Sequence, residues 1–158
     1  MITDRPAERA LRAIEDAGLK FAVTRHGPVR SLAEAAQARG VDEADIVKTL
    51  VVRRADDDFV FVLVPGDRTI SWPKLRKVLG VSRISMPDAA VAREVTGYER
   101  GTITPFGSLT AWPVIADTRI LPRMVSIGAG DHGLAFTVAG TNLVEALSAQ
   151  AADVTDPA

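Results

Sequence analysis

Two apolar runs near the middle of the chain constrain its fold most strongly. Residues 46–53 and 59–64 are rich in Val, Ile, Leu and Phe, and the polar segment Ala55-Asp56-Asp57-Asp58 lies between them. β-branched and aromatic residues favour strands, and a short run of turn-forming residues between two strands is typical of a hairpin. The sequence therefore predicts a β-hairpin here, and the rest of the fold has to be arranged around it.

Helix signals alternate with further β-rich runs on both sides of this hairpin. The predicted helices cover residues 4–17, 31–39, 73–79, 88–95 and 142–147, with caps at Asp4, Ser31 and Thr141. The further predicted strands cover residues 19–24, 83–86, 114–117, 124–128 and 134–138. This interleaving, without a repeat or a break in composition, predicts one α/β domain over residues 1–150. We expect a mixed, mostly antiparallel β-sheet flanked by helices, and a frayed tail at residues 151–158.

Composition excludes several classes of function. The 19 Lys and Arg residues nearly balance the 20 Asp and Glu residues, which argues against a polybasic protein that binds DNA through bulk charge. With no cysteine and two histidines, the chain is not expected to hold a metal or to use a thiol nucleophile, and no cofactor is predicted. The charged N-terminus and the lack of a long apolar run predict a cytoplasmic protein that is not in a membrane.

Lys48 stands out because it interrupts an otherwise apolar strand. Since side chains alternate along a strand, Lys48 shares a face with Leu50 and Val52. Its ammonium group either extends to the edge of the sheet or points into a polar cavity, where it could bind an ester or phosphate oxygen. Both interpretations are open from the sequence alone.

Two glycine-rich segments are further candidates for a site. Residues 128–133 match GxGxxG formally, but a β-rich run follows instead of the helix that a dinucleotide site needs, so they are interpreted as a turn. Residues 96–108 contain three glycines and a proline without periodicity, which predicts a long loop. Long loops in compact domains are often functional, and a glycine-rich turn lets backbone N–H groups approach a ligand.

Four segments occur in a fixed order along the chain: Val47-Lys48-Thr49-Leu50-Val51-Val52, Thr96-Gly97-Tyr98, Gly101-Thr102-Ile103-Thr104-Pro105-Phe106-Gly107 and Val125-Ser126-Ile127-Gly128-Ala129-Gly130. This series closely resembles the YbaK family of aminoacyl-tRNA editing domains, which are related to the insertion domain of bacterial prolyl-tRNA synthetase. The resemblance extends over about residues 7–147. It implies a YbaK-like editing domain that hydrolyses the ester between a wrong amino acid and the acceptor end of tRNA.

The resemblance also implies roles for individual residues. Lys48 matches the family's essential lysine, and Gly101 belongs to the loop that shapes the aminoacyl pocket, so both are expected to be catalytic. The expected substrate-binding residues are Thr24, His26, Thr49, Pro105, Phe106, Ser126, Gly128 and Gly130. Thr24 and Ala135 stand where the cysteine-clearing branch has a tyrosine and an aspartate, which argues against that specificity.

The expected function is therefore a trans-acting deacylase for tRNA charged with a small non-cognate amino acid, with the tRNA for proline among the candidates. A synthetase such as prolyl-tRNA synthetase is an expected partner. A non-catalytic, regulatory binder of aminoacyl-tRNA or an amino acid is the alternative, and an unrelated small-molecule hydrolase is a third class. Residues 48–83 hold eight Lys or Arg against four acidic residues, which is either a solvated surface or a basic face. The candidate phosphate contacts are Arg25, Arg53, Arg68, Lys74 and Lys77.

Overall fold

A computed structural model describes residues 5–158 of the chain. Within these residues the helices are α1 (Pro6–Asp16), α2 (Leu32–Arg39), α3 (Trp72–Leu79), α4 (Ala89–Thr96) and α5 (Gly140–Ala146). The strands are β1 (Phe21–Arg25), β2 (Ile46–Ala55), β3 (Asp58–Pro65), β4 (Arg68–Ile70), β5 (Val114–Asp117), β6 (Met124–Gly128), β7 (Leu134–Ala139), β8 (Gln150–Ala152) and β9 (Thr155–Pro157).

The predicted hairpin forms the centre of the main sheet. β2 and β3 pair in antiparallel register, with Val51 opposite Phe61. Among the described residues, seven strands form this sheet in the order β1-β7-β6-β2-β3-β5-β8, and β4 pairs with β9 in a second, two-stranded sheet. The antiparallel ladders of the main sheet are longer than its parallel ones. The single α/β domain with a mixed sheet is thus confirmed.

Apolar side chains cover both faces of the β2–β3 hairpin because successive side chains alternate across it. Val47, Val51 and Phe61 lie on one face, in a core that also includes α1 and the loop after α4. Val52 and Val60 lie on the other face, which packs against α3. A strand that is buried on both faces is expected to be apolar along its whole length, as β3 is.

Local capping explains where the helices begin and end. Ser31 accepts a hydrogen bond from the N–H of Glu34 at the start of α2, and Gly40 ends this helix in the left-handed conformation, with φ of 70°. Two predicted caps have a different outcome. Asp4 lies outside the described residues, and Thr141 lies within α5, where its hydroxyl donates to the carbonyl of Leu121.

The prediction of a frayed C-terminal tail is wrong. β8 pairs with β5 in the main sheet, β9 pairs with β4, and Val154 between them is fully buried. The buried carboxylate of Asp117 accepts hydrogen bonds from the N–H of Val154 and the hydroxyl of Thr155, which attach the tail to the domain. The predicted strand at residues 83–86 is reduced to one bridge between Ser85 and Arg53.

Candidate active site

A gap opens in the main sheet where β2 and β6 part. These parallel strands pair only at Ile46 and Val47, because β6 ends at Gly128 whereas β2 continues to Ala55. Further along the same edge of β2, the next pairing among the described residues is the bridge from Arg53 to Ser85. The intervening residues of β2 therefore present a strand edge that no neighbouring strand covers.

Polar backbone groups point into this gap. The carbonyl of Ile46 accepts from the N–H of Gly66 on the β3 side, whereas Arg53 exchanges hydrogen bonds with Ser85 on the opposite side. Since the backbone groups of successive residues in a strand alternate in direction, those of Thr49 and Val51 point toward the gap, like those of Arg53. An uncovered strand edge of this kind is a template for hydrogen bonds with a ligand.

The gap leads into a cavity of about 600 Å³. This size falls within the range of small-molecule sites. Its walls come from β2, the start of α4, the loop after α4 and the end of β6. The lining residues are Arg39, Ile46, Val47, Lys48, Thr49, Leu50, Val51, Met86, Pro87, Asp88, Ala89, Ala92, Arg100, Gly101, Ile103 and Gly128. Most of them are apolar, so the few polar groups determine which ligand can be oriented there.

Lys48 lies half-buried in this wall. Its Nζ donates to the carbonyl oxygen of Arg68 at 2.6 Å, which leaves two further N–H bonds for a ligand. Burial lowers the pKa of Lys48, and the negative charge of Asp67 opposes this effect in part. The side chain of Lys48 is thus anchored to the first residue of β4 and also lines the cavity.

The loop between α4 and β5 is held by the buried side chain of Tyr98. Its hydroxyl donates to the carbonyl of Phe106 at 2.6 Å, and the guanidinium of Arg9 lies 5.0 Å from the centre of its ring. Burial raises the pKa of Tyr98 to about 12, which keeps the hydroxyl protonated as a donor. This single hydrogen bond joins the two ends of the segment that contains Gly101 and Ile103.

Backbone N–H groups of this loop are available to a ligand. The N–H of Thr102 donates to Glu99 and that of Gly130 donates to Thr102, whereas those of Gly101 and Ile103 have no acceptor among the described residues. Gly101 has φ of +89°, a conformation that glycine adopts readily. Gly128 allows the loop to approach β6, because a Cβ atom there would lie 3.2 Å from the carbonyl oxygen of Ile103.

The hydroxyl of Thr49 is a further polar group of the cavity wall. Its Oγ1 atom is buried and has no hydrogen-bond partner among the described residues. A buried hydroxyl without a partner is unfavourable, and such exceptions are often explained by a functional role. Thr49 lies on the strand edge that the gap exposes, so a ligand in the cavity can supply the missing partner.

Arg39 lines the cavity but was not predicted from the sequence as a site residue. It is the last residue of α2, and its guanidinium donates to Ser126 Oγ at 3.4 Å and to His26 Nε2 at 3.5 Å. No carboxylate within 4 Å balances its charge among residues 5–158. Burial accordingly lowers the pKa of Arg39. Nothing in the sequence around Arg39, the last residue of a short helix, indicates that its side chain reaches β6.

The structure brings some of the predicted site residues together and separates others. Lys48, Thr49, Gly101 and Gly128 line the cavity, and Ser126 and His26 contact Arg39 beside it. The remaining predicted residues lie outside the cavity wall: Thr24, Pro105, Phe106 and Gly130.

These four residues have surroundings other than the cavity. Phe106 is buried in the core against Phe136, because a large apolar side chain gains more from core packing than from the loop surface. Pro105 lines a separate depression beside Trp112, and Gly130 lines another beside α1. Thr24 lies opposite Ala135 in the β1–β7 ladder, so the two positions at which the resemblance implies a difference from the cysteine-clearing branch are neighbours.

Some of the basic residues in the middle third of the chain form ion pairs. Arg53 pairs with Asp56, and Lys74 pairs with Asp153 and Asp156 near the C-terminus. Arg68 donates to the hydroxyl of Thr155. Three of the five candidate phosphate contacts are therefore engaged within the protein.

Residues 5–158 contain no group of three or more His, Cys, Asp or Glu side chains placed to hold a metal ion. In the same range, every helix is too short or too polar to cross a membrane.

A family model described as an aminoacyl-tRNA editing domain matches residues 26–146. The chain is 30% identical over 116 residues to a proline–tRNA ligase of Thermoanaerobacter sp. (strain X514), covering 72% of this chain and 20% of the ligase. It is 35% identical over 79 residues to a proline–tRNA ligase of Caldicellulosiruptor bescii, covering 50% of this chain and 14% of the ligase. The chain thus spans a fifth or less of these ligases.

Two other proteins are matched over most of their own length. A protein of Enterococcus faecalis named as a candidate Cys-tRNA(Pro)/Cys-tRNA(Cys) deacylase, EbsC, is 26% identical over 121 residues, which cover 76% of this chain and 74% of that protein. A crystal structure described as a candidate trans-editing enzyme for prolyl-tRNA synthetase superimposes with a TM-score of 0.86 at 27% identity. The superposition covers 98% of this chain and 99% of that one.

Proposed function

The chain belongs to the aminoacyl-tRNA editing domain family, and from this premise we propose that it is a trans-acting deacylase that hydrolyses the ester bond of mischarged tRNA. One observation carries the proposal. The cavity at the open edge of β2 combines a half-buried lysine with unengaged backbone N–H groups. These are the groups that ester hydrolysis needs when the protein provides no nucleophile.

The proposed reaction is an addition followed by an elimination at the ester carbonyl carbon. The oxygen of a water molecule or of a substrate hydroxyl attacks this carbon, and the negative charge that develops on the carbonyl oxygen is stabilised by the N–H groups of Gly101 and Ile103. The bond from the carbonyl carbon to the ribose oxygen then breaks, and the ribose oxygen takes up a proton. Attack by water releases the amino acid at once, and an ester formed by a substrate hydroxyl is hydrolysed in a second step.

Lys48 is proposed to hold the substrate rather than to attack it. Its ammonium group donates to the terminal ribose or to the ester through a charge-assisted hydrogen bond, while the carbonyl of Arg68 fixes the side chain. A protonated lysine is not a nucleophile, and its lowered pKa still has to exceed the working pH for this role.

The shape and chemistry of the cavity favour a small, uncharged amino acid. Val47, Val51, Ala92 and Ile103 form apolar walls, and the hydroxyl of Thr49 is a polar group within them. Editing of small amino acids has a physical basis, because a synthetase pocket gains only about 1–3 kcal/mol from one methylene group and therefore accepts smaller analogues. Alanine, serine, threonine and 2-aminobutyrate are the proposed substrates, with the tRNA for proline as one proposed carrier and prolyl-tRNA synthetase as a proposed partner.

The test is a panel of tRNAs charged with alanine, serine, threonine, 2-aminobutyrate or cysteine, incubated with the wild-type protein and with Lys48→Ala. We expect one ester to be hydrolysed well above the rate in buffer, and we expect Lys48→Ala to lose at least about tenfold of this rate, since it removes a charged hydrogen bond. Lys20→Ala, which removes an exposed lysine outside the cavity wall, is the matched control. Binding of an aminoacyl-tRNA without hydrolysis indicates the regulatory alternative, and equal rates for Lys48→Ala and wild type refute the proposed mechanism.

A further inference from the structure

The cavity holds a positive charge that the protein itself does not neutralise. Arg39 ends α2, and its guanidinium extends over the end of the β2–β6 pairing to Ser126. Its acceptors are a hydroxyl and an imidazole nitrogen at 3.4–3.5 Å, both in long hydrogen bonds and neither of them an anion. A half-buried cation without an anionic partner is unfavourable unless a ligand supplies the anion.

Arg54 and Arg119, in the described part of the chain, have such a partner. Arg54 pairs with Asp58 at 2.8 Å, and Arg119 pairs with Asp153 at 2.9 Å. Arg39 and Arg100 both line the cavity without an acidic partner among residues 5–158, and of these two Arg39 is half-buried whereas Arg100 is exposed. This combination is expected where a ligand supplies the negative charge.

The chemistry of the proposed substrate identifies the anion. In an aminoacyl-tRNA the carboxyl group of the amino acid is esterified and neutral, so the negative charges nearest to the ester are the backbone phosphates. A guanidinium presents several N–H donors in one plane and binds phosphate oxygens in pairs. Nη2 of Arg39 donates to no described residue, and Nη1 retains one N–H.

The position of Arg39 suits the terminal nucleotide. Its partner Ser126 lies opposite Ile46 in the sheet, two residues before Lys48 on β2. Two residues of a strand span about 7 Å, so the two cations border neighbouring parts of one cavity wall. A single nucleotide can contact both, with its ribose at Lys48 and its phosphate at Arg39.

We propose that Arg39 is a substrate-binding residue that holds the 5′ phosphate of the terminal nucleotide and thereby positions the ester at Lys48 and Gly101. The proposal rests on the proposed function for the identity of the substrate. It is tested separately from that function by a binding measurement that requires no catalysis.

The binding measurement compares adenosine 5′-monophosphate with adenosine, using backbone chemical shifts of the wild-type protein and of Arg39→Gln. We expect the wild type to bind the monophosphate about ten times more tightly or better, and Arg39→Gln to bind the two equally, because one charged hydrogen-bonded contact is lost. Arg39→Lys keeps the charge without the planar pair of donors and should recover part of the preference. Arg30→Gln, at an exposed arginine outside the cavity wall, is the matched control. A wild-type protein that does not prefer the monophosphate, or an Arg39→Gln variant that retains the preference, overturns the proposal.

A second measurement uses catalysis. The same amino acid is esterified either to tRNA or to adenosine without phosphate, and kcat/KM is measured for both esters. Arg39→Gln should lose about 10–100-fold on aminoacyl-tRNA and less than about twofold on aminoacyl-adenosine. An equal loss on both esters indicates a structural role and overturns the proposal. If the wild type hydrolyses neither ester, the proposed function fails, and the binding measurement still decides the role of Arg39.

Discussion

Ionisation of Tyr98 offers a quantitative test of the buried loop anchor. Tyr98 is the one tyrosine in the sequence, so the absorbance of tyrosinate reports this residue alone. Its side chain is fully buried, and burial raises its pKa from the ordinary value of about 10 to about 12. In the folded protein we therefore expect the absorbance to change with a midpoint near 12, and in denaturant near 10.

The same shift predicts how stability depends on pH. Because the folded state binds the phenolic proton more tightly than the unfolded state, the contribution of Tyr98 is complete below pH 10 and is lost as the pH rises from about 10 to about 12. Two pKa units correspond to about 3 kcal/mol of unfolding free energy. Since the side chain is fully buried, no reduction for solvent screening applies.

The assay combines a rapid pH jump, read by tyrosinate absorbance, with urea denaturation at several pH values for wild type and Tyr98→Phe. At neutral pH, Tyr98→Phe should cost about 1–3 kcal/mol because it leaves the buried carbonyl of Phe106 without its donor. Above pH 10 the difference between the two proteins should shrink, since only the wild type loses the contribution of the phenol. An ionisation midpoint near 10 in protein that is still folded refutes the account of this anchor.

Three further predictions concern the site and the tail. If protonated Lys48 is required, the deacylation rate, corrected for spontaneous hydrolysis, should decline at alkaline pH with a midpoint below that of an ordinary lysine. Asp67→Asn should lower this midpoint further, because Asp67 raises the pKa of Lys48. An unchanged midpoint in Asp67→Asn contradicts this role of Lys48. Thr49→Val should increase the unfolding free energy by about 1 kcal/mol, since it replaces an unpaired buried hydroxyl, and it should slow deacylation. A variant that urea denaturation shows to be less stable than wild type contradicts the first expectation. Asp117→Ala should lower the unfolding free energy by roughly 3 kcal/mol, because the buried carboxylate accepts hydrogen bonds from Val154 and Thr155. The amides of β8 and β9 should then exchange their hydrogens faster, and unchanged protection of these amides rules out this role of Asp117.

The parts of the fold that depend on local interactions are predictable from the sequence. The hairpin of β2 and β3 follows from two apolar runs around a polar turn, and α2 follows from Ser31 and Gly40 at its ends. Strands β8 and β9 were missed because their stability comes from distant partners. Their link to Asp117 joins residues almost 40 positions apart, and no local pattern signals it.

In the candidate site, too, local features are predictable from the sequence and long-range contacts are not. Lys48 is visible in the sequence because a charged residue in an apolar strand is conspicuous. The gap that makes this strand accessible depends on where β6 ends relative to β2, which is a property of the sheet and not of either strand. Arg39 was missed because its contact with Ser126 joins residues 87 positions apart.

The central claim is that the ester is hydrolysed in the cavity beside β2. Ala89 and Ala90 are both exposed residues in the first turn of α4, but Ala89 lines the cavity and Ala90 does not. The most direct measurement is the single-turnover deacylation rate of the preferred aminoacyl-tRNA for Ala89→Trp and Ala90→Trp, with equal thermal stability of the two variants as the control. The account predicts that Ala89→Trp fills the cavity and slows deacylation by about 100-fold or more, the effect of losing correct positioning, while Ala90→Trp stays near the wild-type rate. Equal rates for the two variants would place the reaction elsewhere on the protein and contradict the account.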